Sequence, residues 1–156
     1  MIREGYAFSI ERGDLNYEEL APLYRQHYSE TQARLGAEGV ELPPYRPRLE
    51  AYFPACETGR LLTYVVRFHG KAVGASNIYI TQDMHNGDLI ATEDTIYVTP
   101  EHRNGIGKEL AKFILADLRQ RGCKRVLITP VTDLRVGKIW QRMGFKPIAQ
   151  VMQYTF

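Results

Sequence analysis

The sequence predicts a mixed α/β fold in one domain spanning residues 1–156. Three observations predict it. Short alternating or wholly apolar runs, as strands show, are interleaved with runs at helical spacing. One strand passes through a glycine turn straight into an amphipathic helix between Val98 and Leu110. The length suits one core, and no internal repeat, low-complexity tract or linker divides it.

The elements follow in order. Tyr6, Phe8 and Ile10 share one face of a first strand ending near Arg12. Asp14 or Asn16 then caps a helix carrying Leu20, Leu23 and Tyr24, with a further helical stretch through Arg34. Glycines and prolines make residues 36–47 a loop. A short helix fits Arg48 to Cys56, although Pro54 should disturb its last turn. Leu62, Tyr64, Val66 and Phe68 mark a strand that turns at His69-Gly70 and returns from Ala72 to Ile80. After a polar loop from Gln82 to Asp88, Leu89 to Val98 reads as a strand stopped by Thr99-Pro100. Ile106, Leu110, Phe113, Ile114 and Leu118 recur at helical spacing up to Gly122. Arg125 to Thr129 reads as a buried strand, Asp133 to Met143 as a helix closed by Gly144, and Phe145 to Phe156 as a final strand.

Composition narrows the function classes. Hydrophobic residues make up 44% and charged residues 24%, the profile of a soluble globular chain. Lys and Arg total 20 against 18 acidic residues, a net charge of +2, too balanced for a nucleic-acid partner. Cys56 and Cys123 lie far apart and read as two reduced thiols. His27, His69, His85 and His102 show no zinc spacing and read as surface or turn residues, so no metal site is expected. The N-terminus lacks an apolar signal core and no run of about 18 apolar residues occurs. The expectation is a cytoplasmic protein without a membrane segment.

The segment Val98-Thr99-Pro100-Glu101-His102-Arg103-Asn104-Gly105-Ile106-Gly107-Lys108-Glu109-Leu110 carries the clearest chemistry. A tight turn ahead of a helix leaves backbone N–H groups unpaired at the positive end of the helix dipole. A phosphate group is the natural guest. Glycine lets it approach, and Arg103 and Lys108 add positive charge. Glu109 stands where a nucleotide P-loop needs Ser or Thr, and a Rossmann fingerprint lacks its third glycine. A plain glycine turn before a helix remains the alternative for the loop taken alone.

A second segment follows, Val131-Thr132-Asp133-Leu134-Arg135-Val136-Gly137-Lys138-Ile139-Trp140-Gln141-Arg142-Met143-Gly144-Phe145. Together the two segments resemble the GCN5-related N-acetyltransferase (GNAT) superfamily. That family joins a Gln/Arg-x-x-Gly-x-Gly/Ala loop to a later Asn-x-x-Ala-x-x-x-Tyr-x-x-x-Gly-Phe helix. Asp133 falls at the Asn, Val136 at the Ala, Trp140 at the Tyr, and Gly144-Phe145 at the closing pair. The resemblance is specific over Ala91 to Phe145 and otherwise rests on element order.

The resemblance implies a mostly antiparallel sheet with two splayed parallel central strands and helices on both faces. It also implies acetyl-CoA as co-substrate, with its pyrophosphate on the amides of Arg103, Asn104, Gly105, Ile106, Gly107 and Lys108. The pantetheine arm would pair with Ile96, Tyr97 and Val98. Asp133 would approach the arm from the other side, or cap the last helix. Two departures matter. The Gln/Arg position falls on His102, with Arg103 one place late. Trp140 replaces the tyrosine that protonates the leaving thiolate in many relatives. An indole N–H is no acid near neutral pH, so Trp140 reads as packing beneath the cofactor or core, and another group, such as a nearby Tyr, as the acid.

Transfer needs a neutral amine, hence a base, which in this family is commonly a carboxylate on the strand before the loop. Glu93 and Asp94 lie on that strand and point oppositely, so one faces the cleft, and Glu93 is the first choice. The alternative makes both solvated strand charges. A backbone N–H near Val98 would hold the developing oxyanion. The predicted activity is acetyl transfer to a primary amine, small-molecule or protein, by direct attack in a ternary complex. The acceptor would enter over the loops Glu30 to Pro47 and Gln82 to Asp88. The rival is a GNAT-fold module that binds acyl-CoA with weak or no transfer. The last strand leaves an edge that a second copy could cover, making a homodimer a further expectation.

Overall fold

A computed structural model describes residues 3–130 and 135–156. Its elements are β1 (Tyr6–Glu11), α1 (Tyr17–Ala37), α2 (Leu49–Glu57), β2 (Leu61–Phe68), β3 (Lys71–Gln82), β4 (Leu89–Val98), α3 (Ile106–Gln120), β5 (Arg125–Leu127) and α4 (Val136–Arg142). The strands form one sheet in the order β1-β2-β3-β4-β5, antiparallel except for the parallel pair β4–β5. Alternation along the strands splits the core between the two faces. Tyr64, Val66, Ile78, Ala91 and Val98 meet Ile106, Leu110, Ile114 and Leu118 of α3 on one face. Val65, Ala75 and Tyr97 meet Tyr17, Leu20, Leu23 and Tyr24 of α1 on the other, with Tyr52 and Phe53 of α2 packed alongside.

Turn chemistry fixes the hairpins. His69 and Gly70 both take positive φ, 47° and 83°, as a tight two-residue turn between β2 and β3 requires. Gly122 at φ 88° ends α3, and Cys123 N–H then reaches back to the Leu118 carbonyl at 3.0 Å, a left-handed helix stop.

The helices depart from expectation in detail. α1 is a single helix through Pro22, held by its buried face rather than by a cap. Asn16 occupies the cap position, but its side-chain amide donates to Glu11, and Asp14 pairs with Arg12. α2 runs three residues past Pro54. There the ring replaces the N–H that would have bonded back to Glu50, and Thr58 closes the end by donating its N–H and hydroxyl to the Pro54 carbonyl. β5 covers three residues rather than five, and α4 begins at Val136.

The final strand expected over Phe145 to Phe156 is not formed. Residues 145–156 have no regular structure. Met152, Tyr154 and Phe156 alternate as a strand would, but Pro147 removes a donor near the start and the three-residue β5 offers a short template. Ile148, Val151, Met152, Tyr154 and Phe156 are all exposed. Among the described residues no helix is long and apolar enough to cross a membrane.

Candidate active site

The site arises where two parallel strands part. β4 and β5 pair only at Ile90–Arg125, Ala91–Val126 and Thr92–Leu127. Beyond Thr92 the strands diverge, and a cleft of about 510 Å³ opens between them. Its walls include Glu93 and Ile96–Val98 of β4, Ile128–Pro130 after β5, His27 and Glu30 of α1, Gly105, Gly107 and Lys108 at the start of α3, and Trp140 of α4.

A bulge decides which β4 side chains face the cleft. Asn77 pairs with Thr95 and Ile78 with Glu93, so Asp94 is the extra residue on β4. Ser76 supports the bulge, its hydroxyl donating to the Thr95 carbonyl at 2.8 Å. Glu93 lines the cleft and accepts the Thr129 N–H at 3.0 Å, bridging the parted strands. Burial, helped by the neighbouring Asp94 charge, pushes its carboxyl up to about 7 despite that N–H. Asp94 is turned the other way and is absent from the lining. Its charge is felt by Tyr24 and His27 of α1 and by Tyr52 of α2. Desolvation also raises it, against a hydrogen bond from Thr95 Oγ1 at 3.1 Å.

The other end of the cleft is a ring of backbone donors. After a 3-10 turn at Pro100–His102, the backbone N–H groups of Asn104, Gly105, Ile106 and Gly107 find no backbone acceptor among the described residues. Gly105 caps α3 at φ 102°, and a Cβ there would meet Arg3 Nη2 at 2.8 Å. Arg3 braces the loop from outside through the Asn104 carbonyl at 2.5 Å and Glu109 at 3.2 Å. A Cβ at Gly107 would meet only Val98 Cγ2, at 4.0 Å. Orphan amides at a helix N-terminus, with Lys108 beside them, suit a phosphate or diphosphate.

The remaining expected residues fall as follows. Ile96, Tyr97 and Val98 line the cleft, with the Tyr97 ring turned toward α1. The Tyr97 phenol donates to Glu30 at 3.0 Å, and burial first, then that bond, pushes it up to about 12. Ile106 is fully buried and offers only its backbone, and the Asn104 side chain is taken by Arg3. Arg103 lines the cleft, but its guanidinium is bound to Glu30 and to the Val98 carbonyl. Trp140 is buried, meets Phe145 edge-on at 5.2 Å and walls the cleft. Asp133 lies outside the described residues.

Sequence reasoning gives His27 no part in the site and puts Glu30 only at the start of an acceptor loop running to Pro47, of which residues 30–37 are instead helix. Both are in α1, 67 residues or more before Tyr97, and only the packing of α1 on β4 brings them to the cleft. Expected at the surface or in a turn, His27 is instead half-buried, meets Tyr97 edge-on at 6.0 Å, and burial lowers its pKa. The Gln82 to Asp88 loop adds nothing to the lining and is tied to Arg125 at the opposite end of β4.

Comparison with known proteins fits this architecture. A GCN5-related N-acetyltransferase from Ralstonia eutropha JMP134 superposes with a TM-score of 0.77 at 17% identity, over 97% of this chain and 99% of that one. An aminoglycoside acetyltransferase, meta-AAC0020, from an uncultured soil metagenomic sample gives 0.76 at 16% identity, over 100% and 98%. Aminoglycoside N-acetyltransferase AAC(6')-Iy, in complex with CoA, gives 0.68 at 19% identity, over 100% and 99%. A comparison with curated protein sequences finds no match. The model of the acetyltransferase (GNAT) family matches residues 17–145, most of the chain and all of the cleft-forming elements from α1 to α4, and the chain belongs to that family.

Proposed function

We propose that the chain is an acetyl-CoA-dependent N-acetyltransferase acting on a primary amine by direct attack in a ternary complex. One observation carries the reading. A single cleft, opened by the parting of β4 and β5, has unpaired helix-start amides at one end and a raised carboxyl at the other. The first end suits the diphosphate of CoA, held by the amides of Asn104 to Gly107 with Lys108. The β4 edge from Ile96 to Val98 lies free of β5 and can pair with an extended pantetheine arm.

At the other end, an ammonium acceptor must lose a proton before its lone pair can attack. Glu93, titrating near 7, is ionised often enough to take that proton and basic enough to hold it. The nitrogen then bonds to the thioester carbon, the C–S bond breaks, and the surplus proton left on the nitrogen passes through water to the departing thiolate. A backbone N–H near Val98 would support the carbonyl oxygen. Trp140 is packed on Phe145 and has no acidic proton, so it walls the cleft rather than supplying the thiolate's proton. Tyr97 is the tyrosine among the described lining residues, but its phenol donates to Glu30 and is pushed up to about 12, a weaker acid than a thiol, so water protonates the thiolate.

Two of the similar structures are named as aminoglycoside acetyltransferases, which puts polyamine-bearing small molecules among the acceptors worth assaying. The test pairs calorimetry with acetyl-CoA and a thiol-release assay over a panel of small amines and peptide amines. Binding with amine-dependent thiol release supports the reading. Binding without release on any amine supports the rival, a CoA-binding module of this fold, and no binding removes both.

A further inference from the structure

Arg103 lines the cleft next to the orphan amides, where a free cation would attract a phosphate, yet its guanidinium is committed within the chain. Nη2 donates to both Glu30 oxygens, at 2.7 and 2.9 Å. Nε donates to the Val98 carbonyl at 2.8 Å, and the guanidinium carbon lies 5.1 Å from the centre of the Tyr97 ring. The Tyr97 phenol donates to the same Glu30 carboxylate, fixing its orientation. These contacts tie α1 to β4 and to the loop ahead of α3.

Two consequences follow for any ligand entering here. The Glu30 carboxylate and an incoming diphosphate are anions in competition for one guanidinium. Arg103 also occupies the Val98 carbonyl, an acceptor on the β4 edge that an extended ligand would use. The pair is within reach of solvent, with the Arg103 and Glu30 side chains 45% and 36% exposed, so a dissolved anion can displace it. An exposed pair of this kind is weak enough to open and strong enough to register in an affinity.

We propose that Glu30, oriented by Tyr97, is a positioning residue that holds Arg103 as a latch across the cleft, and that the CoA diphosphate binds by drawing Arg103 away from it. This rests on the proposed function, since it takes CoA as the ligand. The latch sets the affinity of the chain for CoA below what the amide cradle and a free Arg103 would give.

The test is calorimetric titration of CoA into the unaltered chain, Glu30→Gln, Arg103→Ala and the double variant. Gln keeps an acceptor for the Tyr97 phenol while removing the charge. Glu30→Gln should bind CoA roughly two- to fivefold more tightly. Arg103→Ala should bind more weakly, and adding Glu30→Gln to it should change nothing further. Unchanged or weakened binding in Glu30→Gln overturns the latch. So does tightening that persists without Arg103, since that would be a general charge effect rather than competition. If the unaltered chain binds no CoA, the proposed function falls as well, whereas failure of the latch alone leaves CoA binding intact.

Discussion

Replacing Glu93 by Gln removes the titrating group while keeping an oxygen that can accept the Thr129 N–H, so the bridge between β4 and the segment after β5 is retained. If Glu93 is the base, turnover should fall by about 10²–10⁴-fold, with CoA affinity unchanged. The pH dependence is sharper still. A carboxyl titrating near 7 is about 10% ionised at about pH 6 and about 90% ionised at about pH 8. An ordinary glutamate would be almost wholly ionised at both. The ratio of unaltered to variant kcat/KM cancels the ionisation of the acceptor amine, and should rise about tenfold across that window. Stability moves the opposite way. The folded chain retains this proton up to about 7, while the unfolded chain releases it near the ordinary value of 4.5. The stabilising contribution is therefore full below about 4.5 and lost as pH rises through about 7, by at most about 3 kcal/mol. The Gln variant lacks this slope in urea unfolding. A rate ratio that does not vary with pH, or an unaltered turnover, refutes the assignment of Glu93.

Other expected outcomes follow from the same geometry. Gly105→Asp puts a carboxylate beside the amide cradle and an L residue at φ 102°, so CoA binding should be lost by calorimetry while circular dichroism stays native. Trp140→Phe should leave turnover within a few fold, because no proton transfer runs through the indole, whereas Trp140→Ala should lower stability by about 3–5 kcal/mol in chemical unfolding. Tyr64→Phe removes the bond from a buried phenol to Asp117 at 2.6 Å and should cost about 1–2 kcal/mol without altering CoA affinity.

How far the sequence revealed the molecule depended on whether the deciding interaction was local. β4 begins and ends where its pattern says, because Thr99-Pro100 stops it and a polar loop precedes it. The glycine loop was equally legible, since a positive φ at Gly105 and orphan amides at Ile106 and Gly107 follow from the turn itself. The bulge at Asp94 was not. Alternation correctly separates Glu93 from Asp94, but the extra residue depends on β3 register and on the Ser76 hydroxyl. The ties of Arg103 to Glu30 and of Tyr97 to Glu30 were also hidden, because they join residues 67 or more positions apart. The tail misled for the complementary reason. Its alternating Met152, Tyr154 and Phe156 satisfy a local rule, and a strand needs a partner edge that three-residue β5 scarcely offers.

The central claim is that the amides opening α3 bind a diphosphate while the parted strands receive its arm. A crystal structure of the chain with CoA tests it most directly. The prediction is phosphate density within hydrogen-bonding distance of the Gly105, Ile106 and Gly107 nitrogens, with the arm running along Ile96 to Val98 toward Glu93. CoA density elsewhere on the surface, with those amides still unpaired, would contradict it.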